Sequence, residues 1–161
     1  MRNKTYEPVT MNSLEYKWVI HHYGDKFNFT LEQFGTLESR IDVCVKILKT
    51  YINETFKTRL DAESPDITPE FHYYINKYME IENSEHNQNV RDEKTYILQF
   101  CLLCRGYNSD LNGCYTRFTH KTLNAFKRDT NNHIIYSGCD PTTWIMLLDK
   151  NNKTTCKEEE N

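Results

Sequence analysis

The chain has 161 residues, a formal net charge of −3 at pH 7, 38% hydrophobic residues and only five glycines and four prolines. This length suits one ordinary domain or two small ones, and so little glycine and proline favours helices over a turn-rich β sandwich. Lysines and arginines are spread along the chain without the basic stripe of a nucleic-acid-binding protein. No apolar run approaches the roughly 20 residues of a membrane-spanning helix. We therefore expect neither nucleic acid nor a membrane as partner.

Three helices are predicted in the N-terminal half. Leu14–Tyr23 forms a short amphipathic helix. Apolar residues then recur at three-to-four-residue steps over Leu37–Ile52, and Thr36 is the expected N-cap of that helix. The third helix begins at Pro69, directly after the expected N-cap Thr68.

Three further helices are predicted in the C-terminal half. The almost wholly apolar stretch Tyr96–Tyr107 forms the first, and Gly106 ends it. A turn rich in Asn, Asp and Gly follows. Thr119 is the expected cap of the second helix, and Asp140 with Pro141 begins the third.

One polar segment lies between these two groups of helices, and another follows the second group. Residues 83–92 carry charged and amide side chains and form the expected linker, while Ile134–Tyr136 is expected to be extended. Residues 151–161 are polar, and we predict a disordered tail there. The sequence therefore predicts an all-α chain of two small three-helix units, over residues 13–82 and 93–150.

The helical periodicity also predicts which side chains form the core of each unit. In the first unit they are Trp18, Ile41, Val45 and Leu48. In the second unit they are Leu98, Leu102, Leu123, Phe126, Trp144 and Leu147.

The six cysteines offer one possible metal site. Cys101, Cys104, Cys114 and Cys139 have a spacing that tetrahedral thiolate zinc could use. Cys101 and Cys104, however, lie inside an apolar helix, where cysteine behaves as a small hydrophobic residue. We therefore predict buried free thiols, no metal and no cofactor. Disulfides are not expected either, because no secretory signal is visible.

Histidines and acidic residues are the side chains of this chain that could supply catalytic groups. The six histidines are scattered, without the spacing of a metallopeptidase motif. The acids between Asp61 and Glu70 lie in a loop and at a helix start, where they favour the helix dipole. A small hydrolase would need a triad, a dyad or a metal set, so we do not expect an enzyme.

A turn, a capped helix and a proline-started helix in the C-terminal half carry a recognisable set of residues. In chain order these are Asn112, Gly113, Tyr115, Thr119, Leu123 and Phe126, then Gly138, Asp140, Thr143, Trp144 and Leu147. Asn112 and Gly113 form an Asp-Gly-like turn, Tyr115 is the aromatic residue that follows, and Thr119 is the helix cap. Leu123 and Phe126 are the apolar helix positions. The last five residues form a final segment with Gly, Asp, Thr-Trp and Leu. This part of the chain, about Tyr96–Leu148, resembles a peptidoglycan-binding-like domain, which is a three-helix module.

Three residues differ from the usual family pattern, and the N-terminal half resembles a second copy of it. Asn112 replaces the usual Asp, Thr116 stands where the family usually has Gly, and Lys127 stands where it usually has Gln. Residues 13–82 repeat the same order of elements, which suggests a degenerate copy and hence a tandem repeat. Such tandem modules follow hydrolase-like domains in Gram-positive and phage cell-wall hydrolases.

The resemblance implies a ligand-binding surface beside the turn. Tyr107 and Tyr115 are expected to be exposed and to stack on sugar faces. Asn112, Thr116 and Arg117 are expected to hydrogen-bond a peptide stem or a muramyl carboxylate, because Arg matches carboxylate geometry. The alternative, that these residues only shape the turn, stays open.

The expected function is therefore non-catalytic binding of peptidoglycan or a cell-wall glycopeptide, which targets a partner hydrolase or lysis protein to the wall. The alternative is a repurposed protein–protein interaction module of the same fold that has lost glycan binding. The N-terminus lacks the apolar core of a signal peptide. We thus expect a protein that is cytoplasmic when made and acts at the wall after release, or a piece of a longer hydrolase.

Overall fold

The computed structural model describes residues 2–3, 9–84, 88, 90–130 and 137–158. Within these residues the chain is mostly helical, and the predicted all-α class is confirmed. The helices are α1 (Leu14–Tyr23), α2 (Leu37–Phe56), α3 (Pro69–Tyr78), α4 (Glu93–Cys104), α5 (Arg117–Asp129) and α6 (Pro141–Leu148), with a 3-10 helix over Leu31–Phe34. Two antiparallel strand pairs complete it, β1 (Arg2–Asn3) with β4 (Lys157–Glu158) and β2 (Ile81–Glu82) with β3 (Gly138–Cys139).

Side-chain caps fix the starts of the helices. Thr36, Thr68 and Asp140 each accept a hydrogen bond from the backbone N–H three residues later, at 3.1, 3.2 and 3.0 Å. These caps are confirmed. The cap predicted at Thr119 is wrong, because α5 starts earlier: the side chain of Thr116 accepts the backbone N–H of Thr119 at 3.3 Å.

Helix α4 begins three residues before the predicted Tyr96. The side chain of Asp92 accepts the backbone N–H of Lys94 at 3.1 Å and so provides the N-cap. At the other end, Gly106 takes a φ of +86°. The backbone N–H of Tyr107 then reaches back to the carbonyl of Leu102 at 3.0 Å, which is a Schellman ending. The predicted stop at Gly106 is confirmed.

The buried side chains form one hydrophobic cluster that draws on both halves of the chain. All ten side chains predicted as core are buried. Helix α2 packs against α4 and α6, so helices of the two predicted units contact each other. The β2–β3 pair adds a second connection between the same two parts. The division into units over residues 13–82 and 93–150 stays a prediction.

The C-terminal segment is ordered where a disordered tail over residues 151–161 was predicted, and that prediction is wrong for the described residues. The Arg105 side chain is buried and donates hydrogen bonds to five backbone carbonyls. These carbonyls belong to Met146, Leu147, Asp149, Asn152 and Thr154, at distances of 2.7–3.1 Å. The backbone N–H of Cys156 donates to the Arg105 carbonyl at 3.1 Å. A buried cation thus holds the segment against the helices.

Two connecting segments lie wholly or partly outside the described residues. The extended stretch predicted at Ile134–Tyr136 lies outside the described residues. In the predicted linker over residues 83–92, the structure describes Asn83, Ser84 and residues 88 and 90–92. Among all described residues, none of the helices combines the length and the apolar character needed to cross a membrane.

Candidate ligand-binding face

A buried glutamine on α4 shapes the turn on which the resemblance rests. The side chain of Gln99 is 0% exposed, and its Oε1 accepts the backbone N–H groups of Asn112 and Gly113, both at 2.9 Å. Its Nε2 lies 3.0–3.2 Å from the Asn112 Oδ1, the Cys114 carbonyl and the Thr119 hydroxyl. Gln99 therefore joins α4, the turn and the start of α5.

Sequence reasoning missed Gln99 because it treated the α4 stretch as almost wholly apolar. A single amide inside such a helix is nevertheless a usable signal, because a buried amide needs hydrogen-bond partners. Gly113 is required beside it for two reasons. Its φ is +79°, and a Cβ there would lie 2.6 Å from atoms of the Tyr96 ring. The turn thus depends on both residues.

The predicted exposure of the two tyrosine rings is wrong. Tyr107 is 3% exposed, and its hydroxyl donates to Asp129 Oδ2 at 2.6 Å. Tyr115 is 0% exposed, and its hydroxyl lies 2.9 Å from Nδ1 of His120. Both hydroxyls find partners within the fold, as buried tyrosines usually do. Burial, together with the Asp129 carboxylate, raises the pKa of Tyr107 above its usual value. Neither ring offers a face to a sugar.

The other three predicted site residues differ in exposure. Asn112 and Thr116 are half-buried, whereas Arg117 is exposed. The Asn112 Oδ1 accepts the backbone N–H of Cys114 at 3.0 Å, so Asn112 shapes the turn, and Thr116 caps α5. These two structural roles fit the alternative that was left open. Binding of a ligand by any of the three stays a prediction.

Arg117 begins a polar stripe along α5. His120 and Lys121 lie three and four residues after Arg117, and Asn124 lies four and three residues after them, so the four residues share one side of the helix. We call these four residues the α5 face. Arg117 and Lys121 are exposed, and His120 and Asn124 are half-buried. Within the described part of the chain, neither Arg117 nor Lys121 has a hydrogen-bond or ion-pair partner.

His120 organises the inner part of this face. Its Nε2 lies 3.2 Å from the Asn124 Nδ2 and 3.4 Å from the Asn83 Nδ2. Because amide nitrogens only donate, Nε2 accepts and Nδ1 carries the proton, which it donates to the Tyr115 hydroxyl. Burial, and then the charge of Lys127, lowers the pKa of His120 below its usual value. The geometry therefore holds a neutral imidazole.

Two contacts tie this face to the strand pair. The Asn83 Nδ2 also donates to the Ser137 hydroxyl at 3.1 Å, and the Asn83 backbone N–H donates to the Ser137 carbonyl at 3.2 Å. Lys127 is buried, and its ammonium donates to the Gly138 carbonyl at 2.5 Å. Burial lowers the pKa of Lys127. Lys127 thus anchors β3 inside the fold.

The cysteines lie at or near the core. Cys44, Cys101, Cys104 and Cys139 are buried, and Cys114 and Cys156 are half-buried; all six are free thiols. Burial raises the pKa of Cys44, Cys104 and Cys139. No group of three or more His, Cys, Asp or Glu side chains among the described residues could hold a metal ion.

A second exposed feature lies on α3 and the end of α2. The rings of Phe56 and Tyr78 stack at 3.8 Å, and Tyr74 and Tyr73 continue the row at centroid spacings of 6.0 and 5.3 Å. Tyr73 is 56% exposed, and the ammonium of Lys77 lies 5.8 Å from its ring centroid. We call Phe56, Tyr73, Tyr74 and Tyr78 the aromatic row.

Comparison of the chain with protein-family models, with curated proteins and with solved structures finds no match.

Proposed function

We propose that this protein is a non-catalytic module that binds peptidoglycan and targets a hydrolase or lysis protein to the cell wall. The observation that carries the proposal is the pair of exposed cations on the α5 face, Arg117 and Lys121, one helical turn apart and without partners in the described part of the chain. Peptidoglycan presents carboxylates on its peptide stems and its muramyl sugars. A guanidinium binds such groups through two parallel hydrogen bonds.

The position of Arg117 supports an anionic ligand. Arg117 is the first residue of α5, and the positive end of the helix dipole disfavours a cation there. Helix stability therefore gives no reason for an arginine at this position. An anion bound beside Arg117 would instead gain from both the guanidinium and the helix dipole.

The rigid support behind the face is also what a binding module needs. Gln99 locks the turn that precedes α5, and Thr116 caps the helix directly before Arg117. A face held in place by buried hydrogen bonds loses little conformational entropy on binding.

The test is co-sedimentation of the purified protein with peptidoglycan sacculi. We expect saturable binding that weakens at least about tenfold in Arg117→Ala, because a charge-assisted hydrogen bond contributes about 1.5–3 kcal/mol. Lys121→Ala should weaken binding as well. The matched control is Arg128→Ala, which removes an exposed arginine from the last turn of the same helix. A folded protein that stays in the supernatant would overturn the proposal.

The aromatic row favours a second candidate function, a protein–protein interaction module. Tyrosine provides large amphipathic contact area and is enriched at interfaces, and Tyr73 is the most exposed ring of the row. This module would bind its protein partner through α3 and leave the α5 face free. Tyr73→Ala should then abolish co-purification of a defined partner without changing sedimentation with sacculi.

A further inference from the structure

We propose that the α5 face, together with Asn83, recognises the acidic peptide stem of the wall polymer and not its glycan chain. Asn83 and Asn124 would accept amide N–H groups of the stem, and Arg117 and Lys121 would bind its carboxylates. The inference rests on the proposed function, because it names the part of peptidoglycan that is bound.

The side-chain amides of Asn83 and Asn124 both lie against the His120 ring. Both amide nitrogens already donate hydrogen bonds, because the Nδ2 of Asn83 lies 3.4 Å and the Nδ2 of Asn124 lies 3.2 Å from Nε2 of His120. Their Oδ1 atoms have no hydrogen-bond partner among the described residues. Each oxygen is therefore available as an acceptor for a ligand.

Contacts behind the face hold these two oxygens in place. His120 is fixed from behind by the buried Tyr115 hydroxyl at 2.9 Å. Asn83 is fixed a second time by the Ser137 hydroxyl at 3.1 Å. With their nitrogens held in this way, the two amides keep their oxygens as acceptors, and little rotational freedom remains to be lost on binding.

The polar groups of the α5 face and Asn83 match those of a peptide. The face combines two carbonyl-type acceptors with two cations that have no partner among the described residues, so it suits a ligand with amide N–H donors and carboxylates. A peptide stem carries both kinds of group along one short chain. The pair of tyrosine rings expected to hold sugars is buried, so stacking on those rings is not available.

One exposed aromatic residue defines the competing ligand. Phe118 directly follows Arg117 on α5 and is 41% exposed. A glycan chain bound beside this face would use that ring, whereas the acceptors and cations of the stem site do not include it. Phe118→Ala therefore distinguishes the two parts of the polymer.

The experiment uses the full chain and two fractions of purified peptidoglycan digested with an amidase, the freed peptide stems and the peptide-free glycan chains. The amidase leaves a free carboxylate on each muramyl sugar, so these carboxylates are first converted to neutral methylamides. Each fraction competes with sacculi for the protein in the sedimentation assay. We expect the stems to displace the protein and the glycan chains to leave it bound. This competition needs no variant, so it decides the inference even where a substitution impairs folding.

Variants then locate the site. Asn83→Ala and Asn124→Ala should each weaken stem binding by between about twofold and tenfold, as expected for one neutral hydrogen bond. Asn76→Ala is the matched control, because Asn76 forms the same four-residue-spaced pair with a histidine, His72, on α3. Phe118→Ala should leave stem binding unchanged.

The outcomes separate the two proposals. Displacement by stems, weakened in the Asn83 and Asn124 variants and unchanged in the Asn76 and Phe118 variants, supports the inference. Displacement by glycan chains, lost in Phe118→Ala, overturns the inference and leaves wall binding standing. A wild-type protein that does not sediment with sacculi overturns the proposed function and the inference with it.

Discussion

The side-chain oxygen of Gln99 accepts the backbone N–H of Gly113 at 2.9 Å, which joins the middle of α4 to the turn before α5. The same oxygen accepts the backbone N–H of Asn112. Gln99→Leu would leave both donors without this acceptor, and an unsatisfied buried donor costs about 1–3 kcal/mol. We therefore expect a loss of at least about 2 kcal/mol in the free energy of unfolding, measured by denaturant titration.

The control for Gln99→Leu is the same substitution at Gln88, which is exposed. We expect that variant to change the free energy of unfolding by less than about 0.5 kcal/mol. Equal effects in the two variants would mean that the Gln99 hydrogen bonds do not hold the turn.

The two tryptophans should respond differently to the same change. The Trp144 Nε1 donates to the Met79 carbonyl at 2.6 Å, whereas the Trp18 Nε1 is buried without a partner among the described residues. Trp144→Phe removes a buried hydrogen bond and should cost about 1–3 kcal/mol, because the carbonyl loses its donor. Trp18→Phe removes a donor that was already unsatisfied and should cost clearly less. Thermal unfolding of the pair measures the difference, and a greater loss in the Trp18 variant would contradict it.

Arg105 should hold the C-terminal segment in place. Its guanidinium serves five backbone carbonyls over residues 146–154, and a lysine cannot reproduce this planar set of donors. We expect Arg105→Lys to destabilise the protein by more than about 2 kcal/mol and to speed amide hydrogen exchange over residues 150–156. Arg128→Lys, on the surface of α5, is the control and should leave both quantities unchanged. Unaltered exchange in the Arg105 variant would show that other contacts hold the segment.

The features that sequence reasoning predicted well depend on neighbouring residues. Asp140 caps the helix that Pro141 begins, and the periodic spacing of apolar residues predicted the buried Trp144. Both signals are contained within a few residues of sequence, and helix starts of this kind are set locally.

The features that were missed depend on partners far away in the chain. Tyr107 and Tyr115 lie beside turns, which suggested exposure, but Asp129 and His120 supply partners for their hydroxyls inside the fold. Arg105 was not singled out, because a buried arginine depends on carbonyls more than 40 residues later. The same limit applies to the candidate site: Arg117 was predicted, whereas the contact between Asn83 and His120 joins residues 37 positions apart.

The cysteines should divide into two classes in the native protein. Cys114 and Cys156 are half-buried, and the other four are buried. Burial raises the pKa of Cys44, Cys104 and Cys139, so the reactive thiolate is scarce there. We expect a thiol reagent to modify two cysteines rapidly and the remaining four only on unfolding. Cys114→Ser and Cys156→Ser should each remove one rapid equivalent, and rapid modification of four thiols in the wild type would contradict this arrangement.

His120 should make stability depend on pH. Burial and the charge of Lys127 lower the pKa of His120 below its ordinary value of 6.5, and Tyr115, Asn83 and Asn124 bind the neutral ring. As pH falls below 6.5, the unfolded chain therefore binds more protons than the folded one, and the free energy of unfolding decreases. The contribution of the neutral ring is complete above pH 6.5 and is lost as pH falls towards the lowered pKa.

The substitution His120→Gln isolates this contribution, because glutamine stays neutral. Denaturant unfolding at about pH 7.5 and pH 5 should show a smaller acid-induced loss of stability in the variant than in the wild type. His22, whose pKa is also lowered by burial, is present in both proteins, so its contribution cancels in the comparison. Identical losses in the two proteins would mean that His120 titrates alike in the folded and unfolded states, and that the hydrogen bonds from Asn83 and Asn124 do not keep the ring neutral.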